Sequence, residues 1–600
     1  MMPHDPLLDD SRARLRALDL ASFIVEAPAG AGKTELLTQR YLRLLAVVKN
    51  PEEVLALTFT NKAATEMRDR ILGSLNAALL PLPADVAPHK LQTRELASAV
   101  LAHDKVRAWG LLEHPGRLRI TTLDALCASL ARQMPYLSRF GTQPRVTDGA
   151  EAYYQTAARR TLEMLEEATP SAEVVAAALN FMDNHAGRLE RLIVSLLARR
   201  DQWVRHAGRI NEAGLRDEVN AGFSDLLARD LSDLAQLLPP VLQSSLMAPV
   251  RFAAANQPEW LGELLDWNEP LHATLDDLPR WQALAGLLLT SSGKWRSRYT
   301  KNEGFPADKV GKPFKEALSE ALAGLIAVDG LEAALLQAQQ MPGPALSDEE
   351  WATVETFSHL LRLAAGQLWL AFQEGGEVDF IEIAARASLA LGDDEAPTDL
   401  AQTLDYRISH LLVDEFQDTS PVQVELLEQL TRGWQPDDGR TLFVVGDPMQ
   451  SIYRFRKADV GLFLRVRQNG IGGIALENLR LYRNNRSYPA IVDWVNATFP
   501  HIFPVLDNPE RGAVRYTPSL ATRNARADSA VQVHPLVVDE MALASQIEAD
   551  KLLQIIRETR LAYPEESIAI LVRARSHLQT LVATLRRVAP EQRFQAVEIE

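Results

Sequence analysis

Apolar positions follow two spacings in turn along the first 134 residues. Compact apolar runs predict strands in SFIVEA (22–27), EVLALTFT (53–60) and LRITTL (118–123). Each run precedes apolar residues spaced three or four apart, which predict helices in KTELLTQRYLRLLA (33–46), NKAATEMRDRILGSL (61–75) and DALCASLARQM (124–134). Strands that alternate with helices predict a parallel sheet built from β–α–β units.

The pattern changes at about Pro135, where long Ala- and Leu-rich amphipathic stretches begin and continue to about Leu404. They predict a helical region, with 173–182 and 317–328 as typical members. The alternation then returns, in HLLVDE (410–415), PVQVELLEQLTR (421–432), TLFVVGD (441–447), IALENLRL (474–481) and YPAIVDWVNATF (488–499). A further α/β unit is predicted from SIAILVRA (567–574), SHLQTLVATLRRV (576–588) and RFQAVEIE (593–600).

These segments predict an α/β domain that a large all-α insertion interrupts. We expect a first α/β part at 1–134, the helical insertion at 135–404, the rest of the first α/β domain at 405–477, and the start of a second at 478–600. An insertion that splits a domain usually lies on an exposed loop, so the flanking parts can still share one sheet.

Composition excludes several classes of protein. There is one cysteine, Cys127, so neither a disulfide framework nor a multi-cysteine metal site is expected. We find no secretory signal and no apolar run near the roughly 18 residues of a membrane span, so we expect a cytoplasmic protein without a membrane partner. The net charge of −16 argues weakly against a nucleic-acid partner, but affinity for phosphates depends on a local basic surface.

The segment EAPAGAGKT (26–34) resembles a phosphate-binding loop between a strand and a helix. Backbone N–H groups at a helix N-terminus bind phosphate, and Gly30 and Gly32 allow a close approach. We expect Lys33 to reach the β- and γ-phosphates of ATP and the Thr34 hydroxyl to hold Mg²⁺. Ala27 replaces the first glycine of the G-x-x-x-x-G-K-[ST] pattern, a position where a methyl group can pack. The predicted ATP-binding residues are Ala27, Pro28, Ala29, Gly30, Ala31, Gly32, Lys33 and Thr34. The alternative is a strand-to-helix turn without a ligand.

Two adjacent acids, Asp414 and Glu415, end the predicted strand in HLLVDEFQDTSPVQ (410–423). At the carboxyl end of a strand, both side chains can reach the crevice where α/β proteins bind ligands. One carboxylate can hold Mg²⁺ while the other polarises the attacking water. The alternative is a solvated acidic strand end.

A second polar loop follows the strand in VVGDPMQSIYRFRKAD (444–459). Asp447 and Gln450 are suited to sensing a γ-phosphate or its attacking water. Aromatic and basic residues then alternate in Tyr453, Arg454, Phe455 and Arg456, a composition that suits single-stranded nucleic acid. The alternative is a hairpin edge whose aromatic residues simply pack.

Five motifs occur in the order found in UvrD/Rep/RecB-type superfamily 1 DNA helicases, which the chain resembles. They are APAGAGKT (27–34), ALTFTNKAATEMRDRI (56–71), LLVDEFQDTSPVQ (411–423), VVGDPMQSIYRFRKAD (444–459) and LRLYRNNRSYPAIVDWVN (479–496). The large insertion makes the RecB/AddA-like branch the nearest. The resemblance implies a RecA-like P-loop core, a second such core, ATP-driven movement on single-stranded DNA, usually 3′ to 5′, and duplex unwinding.

The resemblance also implies roles for individual residues. Lys33 and Thr34 bind ATP and Mg²⁺, Asp414 holds the metal and Glu415 is the catalytic base. Gln450 couples the γ-phosphate to the DNA site, and Arg486 contacts the γ-phosphate from the second core. The residues implied on the DNA path are Phe59, Thr60, Asn61, Thr122, Tyr453, Phe455 and Arg456.

Several positions depart from the family pattern. Arg12 stands about where a glutamine reads adenine, and Asn485 replaces the aromatic residue that stacks on it. Asp124, Leu126 and Lys457 are further departures. We find no segment after these motifs that resembles the family's final motifs or a nuclease, so we expect either a fragment or a protein that is catalytically incomplete as given.

A basic segment in the insertion, from Lys294 to Lys315, contains seven Lys and Arg residues and two acids. With Lys294, Trp295 and Arg296 it is a candidate DNA contact; the alternative is a solvated loop that Trp295 anchors.

Three functions remain open. The first is an ATP-dependent helicase acting on single-stranded and junction DNA in repair or recombination, possible partners being the other subunits of a RecBCD- or AddAB-like complex. The second is an ATP-responsive DNA-binding subunit that does not hydrolyse ATP. The third, a P-loop ATPase that remodels proteins, is disfavoured by the alternating aromatic and basic residues at 453–456.

Overall fold

The structure is a computed structural model that describes residues 5–82, 86–134, 144–147, 149–392, 397–452, 458–528, 530–537 and 541–587. Contacts divide the chain into two units, Met1–Ala527 and Asp528–Glu600. The first unit contains every strand assigned in the described residues.

A six-stranded sheet, parallel throughout, forms the centre of the first unit, with the order β3-β2-β6-β7-β1-β8. Its strands are β1 (Phe23–Glu26), β2 (Val54–Thr58), β3 (Arg119–Thr122), β6 (His410–Val413), β7 (Thr441–Gly446) and β8 (Glu477–Arg480). Two smaller sheets have two parallel strands each. One pairs β4 (Arg145–Val146) with β5 (Glu377–Val378), and the other pairs β9 (Arg483–Asn484) with β10 (Leu520–Ala521). Strands from both sides of the helical region therefore share one sheet.

Both faces of the four central strands are buried, which explains why β1, β2, β6 and β7 are largely continuous apolar runs. Side chains alternate between the faces: Ile24 packs in one core cluster, while Phe23 and Val25 pack in the other. The helices along the sheet are α1 (Pro6–Arg16), α2 (Lys33–Leu45), α3 (Asn61–Leu79), α4 (Pro88–Arg107) and α5 (Leu123–Gln133) before the helical region, and α19 (Pro421–Leu430) and α20 (Val460–Asn469) after it. The next helix, α21 (Pro489–Thr498), contacts β10. The predicted α/β class with a parallel sheet is confirmed.

Helices dominate between the two parts of the sheet. They are α6 (Glu151–Glu163), α7 (Pro170–Phe181), α8 (Ala186–Leu197), α9 (Val204–Gly208), α10 (Leu215–Leu237), α11 (Pro240–Asn256), α12 (Pro258–Leu261), α13 (Leu278–Leu288), α14 (Gly311–Ile326), α15 (Leu331–Gln340), α16 (Asp348–Gly375), α17 (Phe380–Leu391) and α18 (Asp399–Arg407). Two large apolar clusters hold this region, one around Trp267 and Trp281 and one around Leu360 and Phe372, and a smaller one contains Ile210, Leu215 and Trp351. No single described helix is long and apolar enough to cross a membrane; only α14 and α15 together, bent by 109°, have the length and composition.

The end of the sheet differs in detail from the sequence-based boundary. Glu477, the expected last residue of the first α/β domain, is the first residue of β8, which pairs along its length with β1. The sheet therefore extends to Arg480.

The second unit contains α22 (Met541–Ala562) and α23 (Leu578–Arg587), and α23 confirms the helix predicted at 576–588. The strand predicted in SIAILVRA is wrong: residues 567–574 form no strand, and Leu571 is exposed. An apolar run becomes a strand only where a neighbour completes its hydrogen bonds, and the described residues of this unit offer none. RFQAVEIE lies outside the described residues.

Candidate nucleotide-binding site

The loop between β1 and α2 has the backbone of a phosphate-binding loop. Gly30 and Gly32 have φ of +76° and +82°, a region that side-chain-bearing residues rarely adopt. Gly32 is the N-cap of α2, so Lys33 and Thr34 open the helix. The Ala27 methyl is fully buried, and its N–H donates to the Gly446 carbonyl at 3.0 Å. The residue that departs from the glycine pattern therefore packs the loop against β7.

The segment with Arg486 lies against this loop. A Cβ on Gly30 would stand 2.6 Å from Asn484 Oδ1 and 2.8 Å from Arg486 Cβ. The Asn485 N–H donates to the Gly30 carbonyl at 2.9 Å, and its side-chain oxygen accepts from the Thr522 hydroxyl at 2.7 Å. Gly30 is thus required for this contact, which places the exposed side chain of Arg486 beside the loop.

The two acids after β6 lie at the same edge of the sheet. Glu415 has φ of +50°, uncommon for a residue other than glycine, and this turn directs its carboxylate to Lys33. Glu415 Oε2 accepts from Lys33 Nζ at 2.9 Å. The Asp414 N–H donates to the Leu57 carbonyl at 2.9 Å, which continues the β2–β6 hydrogen bonds to the acid pair.

The electrostatics of the acid pair fit a cation. Burial, and then the charge of Glu415, raises the pKa of Asp414 well above its usual range, and Lys33 opposes this only in part. Asp414 and the Thr34 hydroxyl would be the residues that hold Mg²⁺. The described residues contain no group of three or more acidic, His or Cys side chains suited to a metal. Two protein oxygens, one from Asp414 and one from Thr34, would be enough for Mg²⁺, because this ion keeps several waters and takes further oxygens from phosphates.

A hydrogen-bond network links Glu415 to the turn after β7. Gln417 Nε2 donates to Glu415 Oε2 at 2.8 Å, and Gln417 Oε1 accepts from the Asp447 N–H at 2.9 Å. The exposed Gln450 donates from Nε2 to Asp447 Oδ2. Burial raises the pKa of Asp447, and the hydrogen bond from Gln450 opposes that shift. Gln450 is therefore joined to the acid pair through two intermediate residues.

The candidate DNA residues at 59–61 and 122 lie at the carboxyl ends of neighbouring strands. Thr58 is the register partner of Thr122. The Thr60 hydroxyl caps α3 by accepting from the Ala63 N–H at 3.1 Å, and the Thr122 hydroxyl caps α5 in the same way. Phe59 is half-buried and Asn61 is exposed. Tyr453, Phe455 and Arg456 lie outside the described residues.

The basic segment of the helical region is partly engaged in its own packing. Arg296 donates to the carbonyls of Leu287 and Leu289, at 3.1 and 2.7 Å, and so caps the end of α13. Trp295 packs against the apolar cluster around Trp281. Lys294 is exposed and pairs with Glu332 at 3.2 Å. The bonds of these three residues lie within the helical region, and the structure does not bring them to the acid pair.

Arg14 and Asp10, which lie at this edge, have no role in the sequence-based predictions. Arg12 is exposed and pairs with Asp9. Arg14, on the opposite side of α1, donates to the Ala31 carbonyl of the loop. Arg14 also pairs with the fully buried Asp10 at 2.7 Å, and Asp10 accepts from the Tyr482 N–H at 2.7 Å. The signal in the sequence was an Asp-x-x-x-Arg spacing, typical of any helix surface, so it carried no information about the loop.

Comparison with known proteins agrees with this geometry. The family described as the UvrD/REP helicase N-terminal domain matches residues 9–470. The A subunit of an ATP-dependent helicase/nuclease from Exiguobacterium sibiricum is 25% identical over 584 residues, which cover 90% of this chain and 44% of the relative. The protein of the same name from Moorella thermoacetica is 30% identical over 528 residues, covering 82% of this chain and 35% of the relative.

A third relative with that name, from Desulfitobacterium hafniense, is 28% identical over 547 residues, which cover 82% of this chain and 36% of the relative. The chain therefore spans less than half the length of these three relatives. The match over most of the chain, together with the loop, the acid pair and the parallel sheet, confirms the resemblance: the chain belongs to the UvrD/REP helicase family.

Proposed function

We propose that this chain is the ATP-hydrolysing part of a DNA helicase that moves along single-stranded DNA, in the 3′ to 5′ direction, during repair or recombination. The contact between Lys33 Nζ and Glu415 Oε2, 2.9 Å long at the mouth of the phosphate-binding loop, carries the proposal. The contact supports the proposal because Lys33, the proposed phosphate-binding cation, and Glu415, the proposed base, are close enough for one γ-phosphate to meet both.

The chemistry follows from this contact. When ATP binds, Lys33 exchanges the Glu415 carboxylate for phosphate oxygens, and Glu415 is released to accept a proton from the attacking water. Bound Mg²⁺ would supply positive charge against the phosphate oxygens. Arg486, beside Gly30, is positioned to add a second cation from a segment outside the loop. Gln450 reports the state of this site to the residues that follow it.

The proposed DNA path uses the other half of the same sheet edge. The order β3-β2-β6-β7-β1 puts Phe59, Thr60, Asn61 and Thr122 on one side of the acid pair and the phosphate-binding loop on the other. Tyr453, Phe455 and Arg456 complete the proposed path by resemblance. Lys294, Trp295 and Arg296 are proposed as a separate contact to a junction or duplex, with exposed Lys294 as its most accessible cation.

The proposed setting follows the relatives. Because their name describes one subunit of a helicase/nuclease, we propose that this chain works with a partner protein in an AddAB-like complex, in the bacterial cytoplasm. We also keep the domain boundaries at 134, 404 and 477 as proposals, with β8 included in the first domain.

ATP turnover by this chain, with and without single-stranded DNA, tests the proposal. Lys33→Ala should lower DNA-stimulated turnover at least about 100-fold, because the loop loses its phosphate-binding charge. Lys105→Ala, at an exposed lysine of α4, is the matched control and should turn over ATP like the unchanged protein. Duplexes with a 3′ or a 5′ single-stranded overhang, compared for unwinding, test the direction.

The other outcomes separate the alternatives. Absent turnover with an ATP-dependent change in DNA affinity would favour an ATP-responsive binding subunit. Turnover that ignores DNA would favour the protein-remodelling alternative. If neither turnover nor ATP-dependent DNA binding occurs, the proposal is wrong for this chain.

A further inference from the structure

We infer that Gln417 is a positioning residue whose side-chain amide transmits the state of the DNA site to the base Glu415. The inference rests on the proposed function and extends it to a residue that neither the sequence motifs nor the comparisons assign to a role. Gln417 is 2% exposed. Its side chain contacts both the loop after β6 and the loop after β7.

The orientation of the Gln417 amide is fixed by its partners. Oε1 accepts from the backbone N–H of Asp447, which can only donate, so this atom is the carbonyl oxygen. Nε2 then faces two carboxylates, Glu415 Oε2 at 2.8 Å and Asp418 Oδ2 at 3.1 Å. One amide thus joins the loop after β6 to the loop after β7, and each of its atoms has one role.

The end of β7 leaves room for the Gln417 side chain. A Cβ on Gly446 would collide with Gln417 Oε1, so the glycine that ends β7 makes room for the contact. The Gln417 carbonyl also accepts from the Ser451 hydroxyl at 3.1 Å. Gln417 is therefore held at two points by the segment 447–451, which leads directly into the aromatic and basic residues proposed to grip DNA.

The Gln417 contacts form a continuous route. Lys33, Glu415, Gln417, Asp447 and Gln450 are joined in that order by side-chain and backbone hydrogen bonds. A shift of the segment 447–451 on DNA binding must move the Gln417 oxygen, because the Asp447 N–H is buried and has this acceptor. The amide is rigid, so its nitrogen moves with its oxygen and changes the support of the Glu415 carboxylate.

The test compares Gln417→Met with Gln423→Met. Gln423 is a matched control: it is also largely buried, its Nε2 donates to Asp124 at 3.1 Å, and its Oε1 accepts from the Ser420 N–H at 3.0 Å. Gln417→Met removes two amide–carboxylate bonds and one amide–backbone bond, whereas Gln423→Met removes one of each, and only the first change touches Glu415 and Asp447. The ratio of ATP turnover with and without single-stranded DNA is measured, together with KM for ATP.

Gln417→Met should lower that ratio at least ten-fold and change KM for ATP less than three-fold, while Gln423→Met should keep the ratio. In a double-mutant cycle, Gln450→Ala should lower the ratio in the unchanged protein and add little in Gln417→Met, because both residues belong to one route. Equal losses of the ratio in both glutamine variants, or an unchanged ratio in Gln417→Met, would overturn the inference.

A second measurement applies if the chain binds ATP and DNA but does not hydrolyse ATP. The change in affinity for single-stranded DNA caused by a non-hydrolysable ATP analogue should largely disappear in Gln417→Met and persist in Gln423→Met. If the unchanged protein shows neither turnover nor this change in affinity, the proposed function fails. If it shows either one and Gln417→Met behaves identically, only the role of Gln417 fails.

Discussion

Helix α2 carries two cations to opposite edges of one sheet, and their surroundings are opposite as well. Lys33, its first residue, stands at the carboxyl edge with a side chain 15% exposed and one carboxylate partner, Glu415, which is itself 35% exposed. Arg40 follows two turns later, about 10 Å along the helix axis, at the amino edge of the sheet. Arg40 is fully buried.

The hydrogen-bond partners of Arg40 are neutral backbone carbonyls and one hydroxyl. Its guanidinium donates to the carbonyls of Ala17, Asp19 and Ala21 and to the Thr441 hydroxyl, and it lies over the rings of Phe23 and Phe443. Burial, with the charge of Arg43 adding to it, lowers the pKa of Arg40. These contacts tie α2 to the segment before β1 and leave no approach for a ligand.

The difference suggests two roles for cations on one helix: Arg40 stabilises the fold, and Lys33 is available to a ligand. A cation whose acceptors belong to the backbone cannot exchange them without local unfolding. A cation paired with one half-exposed carboxylate can exchange that partner for a phosphate at little cost, because the pair is accessible to solvent. The positive φ of Glu415 adds strain at the same edge. The first two predictions test whether activity and stability separate in this way.

Glu415→Gln should give the largest effect. The amide keeps the size of the side chain and an oxygen for Lys33, but it cannot take a proton from water, so ATP turnover should fall about 1,000-fold. ATP binding, measured by equilibrium titration with a fluorescent analogue, should change less than three-fold. Turnover within ten-fold of the unchanged protein would remove Glu415 from the role of base.

Arg40→Met should reverse that pattern. It leaves the carbonyls of Ala17 and Ala21 without their donor and removes one of the two partners of the Thr441 hydroxyl, which should lower stability by about 3 kcal/mol. The midpoint of the first thermal unfolding transition measures the loss. Arg43→Met, on the same helix, is the control, with an expected loss below about 0.5 kcal/mol. Below the transition, the KM for ATP in Arg40→Met should be unchanged; a large rise would mean that the two edges are not independent.

The two edges should also respond to pH with opposite sign. At the amino edge, burial and then the charge of Arg40 lower the pKa of His410 from 6.5 to about 4. The unfolded chain then binds the proton more readily, so this contribution to stability is complete above pH 6.5 and is lost as the pH falls towards 4. The shift corresponds to about 3 kcal/mol. His410→Gln should flatten this part of the pH–stability curve, measured by urea unfolding without nucleotide; an unchanged slope would contradict the assignment.

At the carboxyl edge, burial and then the charge of Glu415 raise the pKa of Asp418 from 3.8 to about 6. Here the folded chain holds the proton more readily, so the contribution to stability is present below pH 3.8 and is lost as the pH rises through 6. Asp418→Asn should therefore gain stability relative to the unchanged protein as the pH rises from 4 to 7, by less than the His410 effect. The same urea series checks it, and a gain on acidification instead would show that the carboxylate is stabilised in the folded chain.

The residues that meet at the carboxyl edge of the sheet were easier to predict from the sequence than those at the amino edge. The loop at 27–34 and the acids at 414 and 415 were recognisable because phosphate and metal chemistry demand fixed residue types at fixed spacings. Arg40 has no such signature: a basic residue in an apolar helix is normally exposed, and its burial depends on carbonyls from the segment before β1. Gln417 also lies within a recognisable motif, but its proposed role depends on its contact with Asp447, which is 30 residues away in the sequence.

Strands were predictable where pairing was assured and not elsewhere. FIVE and HLLV became strands because each has neighbours on both sides in the sheet. SIAILVRA is also an apolar run but has no described partner strand in its unit, so the apolar run alone was misleading. The same limit applies to Arg296, whose charge suggested DNA and whose bonds cap α13.

The smallest expected effect comes from Arg14, which combines features of both cations. It donates to a loop carbonyl, as Arg40 donates to backbone carbonyls, but it also pairs with a carboxylate, as Lys33 does. Arg14→Ala should free the Ala31 carbonyl and loosen the loop, raising KM for ATP about ten-fold with kcat within two-fold, a loss of about 1.4 kcal/mol in binding. Arg12→Ala is the matched control, because Arg12 is exposed and pairs only with Asp9 among the described residues, so its KM should not move. Steady-state kinetics over a range of ATP concentrations separates the two parameters. A fall in kcat without a rise in KM would place Arg14 with the catalytic groups, whereas a loss of thermal stability with unchanged kinetics would place it with Arg40.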